Sequence, residues 1–153
     1  MQIPVHRVMD DTAQHGAEPY RLDDQVGYLL RLASQRHAAI FQSQTIEGLT
    51  ATQFAALVRL SEHGKCSQNQ LGRLAAMDVA TIKGVVDRLR QKGLTLAEPD
   101  PGDKRRMLIS LSPQGAALVA RMKDAGARIT ADTLAPLSPT EQRSFLRLLA
   151  KLS

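Results

Sequence analysis

The spacing of apolar residues divides the chain into helices that are interrupted once by a hairpin. Along most of the 153 residues the apolar positions recur every three or four residues, which is typical of amphipathic helices. Between Leu94 and Leu111 the period shortens to about two, on either side of the turn-forming stretch 99–103. One hairpin inside a helical chain predicts a mainly α fold of the α+β class.

Three helix starts carry the spacing of a capping box. Thr50, Ser67 and Ser138 are each followed three residues later by Gln or Glu. In a capping box the hydroxyl accepts a hydrogen bond from the third helical N–H, while the Gln or Glu side chain reaches back to the cap. We therefore expect helices to begin directly after these three residues.

Other capping signals mark the remaining helices. Asp78 is a candidate cap for a helix that ends at Gly93, because glycine favours the position just after a helix. Ser112 precedes a proline at the first helical position, which also indicates a helix start. Asp23 and Asp24 are the expected cap of the first long helix, which should fade between residues 45 and 48.

Length and composition limit the class of protein. A chain of 153 residues corresponds to one domain, and 43% hydrophobic residues suffice for a core. A single cysteine rules out a disulfide within one chain, and no apolar run approaches the roughly 18 residues of a membrane span. The N-terminus lacks a signal-peptide pattern, so we expect a cytoplasmic protein. Residues 1–21 show no period and are expected to form an arm before a single domain at 22–153.

The positive charge is concentrated in one part of the chain. The net charge is +5, and the window 65–106 alone holds nine Lys or Arg against five Asp or Glu. This window coincides with two short helices and the hairpin, an arrangement that can place a helix in a DNA major groove and a hairpin in the minor groove. The alternative is that these charges only solvate ordinary surfaces. If DNA is the partner, binding should weaken with salt.

Four stretches, in order and at matching spacing, resemble the MarR family of winged helix-turn-helix regulators. Residues 49–54 resemble the opening of that family's second helix, and residues 67–74 its helix before the turn. Residues 78–94 resemble the recognition helix and its exit, and residues 100–115 the wing and the start of the next helix. The resemblance extends from about residue 25 to the C-terminus.

The resemblance implies an architecture and a function. It implies a homodimer built by all-helical segments at 22–48 and 112–153, with a winged helix-turn-helix lobe and a two-stranded wing at 49–111. Two-fold symmetry then implies a palindromic DNA operator. The expected function is that of a sequence-specific transcriptional repressor without a cofactor.

The resemblance assigns DNA contacts to three places. The first turns of the recognition helix meet base edges, the N-terminus of the preceding helix meets phosphate, and Arg105 of the wing enters the minor groove. Lys104 stands where many family members have a second Arg, and lysine lacks the planar fork of arginine. Asp103 is expected to orient Arg105 or Arg88 rather than to contact DNA. The expected DNA contacts are Ser67, Gln68, Asn69, Ala80, Thr81, Lys83, Gly84, Arg88, Lys104, Arg105 and Arg106.

The resemblance also implies release from DNA by a small aromatic acid or phenol. His37 lies on the apolar stripe of the first helix and is a candidate ligand for a carboxylate, or else a core or interface histidine bonded to backbone. Tyr20 and Arg21 are candidates to clamp an aromatic carboxylate from the arm, or else two exposed residues. A hydroxylated nicotinate or benzoate is the expected class of effector.

Three other functions were weighed. Cys66 is a candidate oxidation switch whose thiol pKa the neighbouring Lys65 could lower, which would give a redox-responsive repressor. A winged helix can also act as a protein-interaction module that never binds DNA. An enzyme is not expected, because the sequence has no phosphate loop, nucleophile elbow or clustered acid pair. His63 and Cys66 alone do not make a metal site.

Overall fold

The computed structural model describes residues 18–153, so most of the expected arm lies outside the described residues. The described residues form six α-helices and three β-strands, which agrees with the expected α+β class. A short 3-10 turn, Leu22–Asp24, precedes the first helix. The elements are α1 (Val26–Gln44), α2 (Ala51–His63), β1 (Cys66–Ser67), α3 (Gln68–Leu74), α4 (Val79–Gln91), β2 (Thr95–Asp100), β3 (Asp103–Leu111), α5 (Pro113–Leu134) and α6 (Pro139–Lys151).

Two of the three expected capping boxes are complete. The Thr50 and Ser138 hydroxyls each accept from the third helical N–H, and the Gln or Glu at that position bonds back to the cap. Ser67 makes only the first half, because its hydroxyl accepts from the backbone N–H of Gln70 at 3.2 Å. The Gln70 side chain lies instead 3.2 Å from the ring of His63. The prediction for Ser67 was therefore right about the helix start and wrong about the reciprocal bond.

The other helix starts agree with the sequence except at α1. The Asp78 carboxylate accepts from the Thr81 N–H at 2.7 Å, and Ser112 caps α5 through the Gly115 N–H at 3.0 Å. The expectation for α1 was wrong, because the residue at its cap is Gln25, which makes no capping bond through its side chain. Two adjacent acids suited a cap by residue type, but the chain uses them in the separate 3-10 turn.

The hairpin belongs to a larger sheet than the sequence predicted. Strand β3 is the central strand of an antiparallel sheet of order β1–β3–β2. Cys66 pairs with Ile109 and Ser67 with Leu108, so the wing carries a third strand that was not expected. A strand of two residues is too short to show a period, and only its partner across the sheet defines it.

The buried core lies where α2, α3, α4 and the sheet meet the first half of α5. Helix α4 contributes four buried apolar residues, Ile82, Val85, Val86 and Leu89. Helices α1 and α6, by contrast, bury no residue at all within this chain. Their exposed large apolar side chains are Val26, Leu29, Leu30, Leu32, Phe145, Leu146 and Leu148, and Leu152 directly after α6 is exposed as well. Within the described residues, every helix is too short or too polar to span a bilayer.

Candidate nucleic-acid interface

Helices α3 and α4 form a helix-turn-helix whose close packing depends on a glycine. A Cβ atom at Gly72 would lie 3.2 Å from the Ile82 side chain and 3.2 Å from the Met77 carbonyl oxygen. The absence of that atom lets α3 lie directly against the start of α4. As a result the N-terminal half of α4 projects from the lobe, with Ile82 buried beneath it.

The outward face of α4 carries the residues expected to read DNA. Ala80, Thr81, Lys83 and Arg88 are all exposed, and Gly84 is half-buried. The Lys83 ammonium lies 3.0 Å from the Asp87 carboxylate, one helical turn along the same face. An exposed ion pair of this kind contributes little stability, so Lys83 can exchange its partner for phosphate or a guanine edge at low cost.

The N-terminus of α3 and the wing line one groove of about 390 Å³. The pairing of β1 with β3 brings them together, because β1 leads directly into α3. Arg73 also lines this groove, although the sequence analysis did not select it. A basic residue six positions after the α3 cap was the available signal, but nothing local indicated that it turns toward the wing. The lining residues are Ser67, Gln68, Asn69, Arg73, Arg105, Arg106 and Met107.

The Arg105 side chain is exposed on the wing, and Asp103 orients it. This side chain is 93% exposed, and its Nε lies 3.3 Å from the Asp103 carboxylate. The same carboxylate oxygen accepts from the Arg105 backbone N–H at 3.1 Å. Asp103 therefore contacts Arg105, as expected, and leaves most of the guanidinium open to solvent. Lys104 is also exposed.

Arg106 differs from Arg105 because its guanidinium is committed within the hairpin. Its Nε and one terminal nitrogen donate to the Asp100 carboxylate at 2.9 and 2.6 Å. The other Asp100 oxygen accepts from the Gly102 N–H at 2.9 Å. This half-buried pair stabilises the turn of the hairpin. Arg106 is therefore less available for DNA than the sequence indicated. The pattern of basic residues could not separate the two arginines.

Replacing Asp100 by asparagine is expected to remove an acid-sensitive part of the stability. The Gly102 N–H, followed by the Arg106 guanidinium, lowers the pKa of Asp100. A carboxyl whose pKa is lower in the folded state stabilises the fold above its unfolded pKa of about 3.9, and this contribution disappears as pH falls through the folded pKa. The free energies of unfolding of the two proteins in urea should therefore differ by a constant amount above about pH 5. The difference should begin to shrink near about pH 4 and disappear as pH falls through the lowered pKa of the folded state. A difference in unfolding free energy between D100N and the wild type that does not vary with pH would contradict this account. R106Q removes one of the causes of the lowered pKa, so its difference from the wild type should also shrink at low pH, by a smaller amount.

A second candidate site lies between α1, α5 and α6. A cavity of about 340 Å³ there is lined mainly by apolar side chains, with His37 and Thr133 among its polar residues. His37 Nδ1 lies 2.9 Å from the Thr133 hydroxyl, so the histidine is bonded to a side chain rather than to backbone. The remaining lining residues are Leu30, Ala33, Ser34, Thr130, Leu134, Phe145, Leu146 and Leu149, of which Leu30, Phe145 and Leu146 also belong to the exposed apolar face of α1 and α6.

The structure does not bring the two arm residues to this cavity. Tyr20 is 77% exposed, and the Arg21 guanidinium lies 3.7 Å from Asp24 in the next turn of its own segment. Neither residue lines the cavity beside His37. Within one chain, the expected clamp of His37, Tyr20 and Arg21 is therefore not assembled.

Cys66 has the surroundings of an inert thiol. It is buried in the core, and burial raises its pKa. The expectation that Lys65 lowers this pKa was wrong, because the Lys65 ammonium pairs with Glu98 instead. Since the thiolate is the reactive form, the structure gives no support to an oxidation switch at this position.

The comparisons with known proteins agree with this geometry. The MarR family model matches residues 49–107. The HTH-type transcriptional repressor NicR of Pseudomonas putida is 42% identical over 135 residues, which cover 88% of this chain and 85% of that protein.

Solved structures of regulatory proteins are also similar to this chain. A probable transcriptional regulator from Pseudomonas aeruginosa is 56% identical, with a TM-score of 0.85 over 87% of this chain and all of that one. Bordetella bronchiseptica BpsR, whose DNA binding is regulated by 6-hydroxynicotinic acid, is 41% identical, with a TM-score of 0.83 over 88% of this chain and 96% of that one. The chain therefore belongs to the MarR family and is a DNA-binding transcriptional repressor of the winged helix-turn-helix class.

Proposed function

We propose that this protein is a homodimeric repressor that binds a palindromic operator and is released from it by a small hydroxylated aromatic acid. The observation that carries the effector part of the proposal is the apolar cavity with His37 hydrogen-bonded to Thr133 at one side. The relative BpsR supports this part, since its DNA binding is regulated by 6-hydroxynicotinic acid. The relative NicR, a transcriptional repressor, supports the repressor part.

The exposed surface of α4 and the wing supports operator binding. Each lobe offers the first turns of α4 to base edges and Arg105 to a minor groove, with the groove between α3 and the wing open to a phosphate. Ser67 caps α3, and Gln68 and Asn69 follow it, so all three polar residues line this groove. Arg73 adds a positive charge to the same groove.

The uncovered apolar faces of α1 and α6 support a homodimer. Seven large apolar side chains of these two helices, and Leu152 directly after α6, are exposed in the single chain. Burial of apolar area stabilises by about 25 cal/mol per Å², so a face of this size favours a partner. A second copy offers the same two helices, and a two-fold axis makes the faces complementary. Such a dimer presents two recognition helices to two half-sites of one operator.

The chemistry of the cavity fits a small aromatic acid. Its volume of about 340 Å³ lies in the range of small-molecule sites. Leucine and phenylalanine side chains can hold an aromatic ring, and His37 can donate to a carboxylate once it exchanges Thr133 for the ligand. His37 and Thr133 belong to α1 and α5, so a bound acid would alter the contact between these helices.

A gel shift with DNA flanking the protein's own gene tests the proposal. We expect binding that weakens steeply with salt, because phosphate contacts release counterions. Of a panel containing 6-hydroxynicotinate, nicotinate, 4-hydroxybenzoate and benzoate, a hydroxylated acid should release the DNA at the lowest concentration. Release by none of these acids would contradict the effector class, and absence of binding at low salt would contradict an operator at that position.

Replacing His37 by alanine is expected to blunt release without weakening DNA binding. A hydrogen bond to a charged group contributes about 1.5–3 kcal/mol, so the acid concentration for half-release should rise about tenfold or more. Fluorescence anisotropy of labelled DNA, titrated with the effective acid, measures both properties. T133S keeps the hydroxyl and serves as the matched control. An unchanged half-release concentration in H37A would exclude His37 as the carboxylate ligand.

A further inference from the structure

The exit of the recognition helix is bonded directly to the start of α5. After α4 ends, the Leu94 N–H donates to the Leu89 carbonyl at 3.0 Å and the Gly93 N–H to the Arg90 carbonyl at 2.9 Å. Together with the φ of +74° at Gly93, these bonds make a Schellman motif. Leu89 and Leu94 are both buried, so this exit is held within the core.

Ser112 joins that exit to α5 by three hydrogen bonds. Its N–H donates to the Leu94 carbonyl at 3.0 Å, and its hydroxyl donates to the Gly93 carbonyl at 2.6 Å. The same hydroxyl accepts from the Gly115 N–H at 3.0 Å. Ser112 is only 5% exposed, so its own side of these bonds is shielded from water. A single side chain therefore caps α5 and holds the end of the recognition helix.

Gly115 brings the two backbones into contact at the same place. An ideal Cβ at this position would lie 2.1 Å from the Leu94 carbonyl oxygen. The first turn of α5 therefore packs on the exit of α4 through backbone atoms, without flexible side chains between them. Contacts between backbone atoms cannot adjust by changing rotamers, so this joint is stiff.

The other end of α5 is bonded to α1. Arg36 donates to the carbonyls of Asp132 and Thr133, and His37 lies 2.9 Å from the Thr133 hydroxyl. Helix α5 has 22 residues and a length of about 33 Å. It therefore links the recognition helix, at its first turn, to the helix that carries the apolar face, at its last turn.

We propose that Ser112 and Gly115 are positioning residues that set the spacing between the two recognition helices and thereby the separation of the half-sites that the repressor accepts. This inference rests on the proposed homodimer with a palindromic operator. Neither residue contacts DNA in this arrangement. Ser112 acts by holding α4 at one angle to α5, and the second copy repeats that angle about the two-fold axis.

The test measures how sharply the protein discriminates half-site spacing. The wild-type protein first selects a palindromic duplex from a random pool, and duplexes with one base pair added or removed between the half-sites are then compared. One base pair moves a half-site by about 3.4 Å, so the wild type should lose at least about fivefold in affinity. S112A should bind all three duplexes within about threefold of one another, because its recognition helices can adjust.

Two further variants separate positioning from a loss of helix capping. S138A removes the capping serine of α6, which lies outside the winged lobe, and it should keep the wild-type spacing preference. S112T retains the hydroxyl and should restore that preference. If S112A discriminates spacing as sharply as the wild type, or if S138A loses discrimination equally, the positioning role is refuted. If the wild type selects no duplex with two half-sites, both this inference and the palindromic operator fail. The selection with the wild-type protein alone therefore tests the palindromic operator before any variant is compared.

Discussion

Replacement of Gly115 by alanine is expected to destabilise the protein by about 3 kcal/mol or more. The added methyl group would lie 2.1 Å from the Leu94 carbonyl oxygen, far inside the contact distance of carbon and oxygen. Because the obstacle is backbone, α5 must move away from the exit of α4. That movement stretches the bonds that the buried Ser112 makes to the carbonyls of Gly93 and Leu94.

Urea unfolding followed by circular dichroism measures this effect. G27A is the matched control, because a Cβ at Gly27 in α1 would have no atom within 4 Å apart from its neighbours and the nearby backbone of its own helix. Alanine in a helix is favoured over glycine by about 0.8–1.0 kcal/mol, so G27A should be at least as stable as the wild type. Equal unfolding midpoints for G115A and the wild type would show that the close contact is not an essential feature of the fold.

Arg105→Ala is expected to weaken operator binding by about 1–3 kcal/mol, or about 5- to 150-fold, while the fold and the assembly state remain unchanged. The side chain is 93% exposed and contacts only Asp103 among the ion pairs of the described residues, so its removal costs the fold little. On DNA, the same guanidinium would lie in the narrow minor groove, where the negative potential is strongest.

Anisotropy titrations at several salt concentrations test this assignment. R105K keeps the charge and loses the planar fork, so it separates electrostatic attraction from specific insertion. R59A is the matched control, since Arg59 is an exposed arginine paired with Glu62 at 2.9 Å on α2. We expect R59A to bind as the wild type does. If R105A also binds normally, the wing does not contribute through this residue.

The difference between Arg105 and Arg106 could not be predicted from the sequence. Both arginines belong to one run of basic residues, and both were expected to contact DNA. Their difference arises from Asp100, which lies across the turn of the hairpin and binds Arg106. The register of a hairpin decides which side chains meet, and that register depends on the turn and on the bulge between Pro99 and Asp100.

The candidate effector site depended even more on tertiary structure. His37 was selected from its place on an apolar stripe, but its partner Thr133 is 96 positions away in the sequence. Tyr20 and Arg21 are nearer along the chain and do not line the same cavity. The chemistry of Cys66 also depended on tertiary structure. The burial that raises the pKa of its thiol comes from elements distant in the sequence.

Local signals by themselves determined every helix start except that of α1, together with the hairpin and the basic lobe of this repressor. The caps at Thr50, Asp78, Ser112 and Ser138 bond to residues three positions away, so both partners of each bond lie within one short stretch of sequence. Only the tertiary structure decided the third strand, the pairing of Arg106, the cavity beside His37 and the joint at Gly115. Each of these joins residues that are distant along the chain or cross a turn, and the fold alone brings their atoms within contact distance.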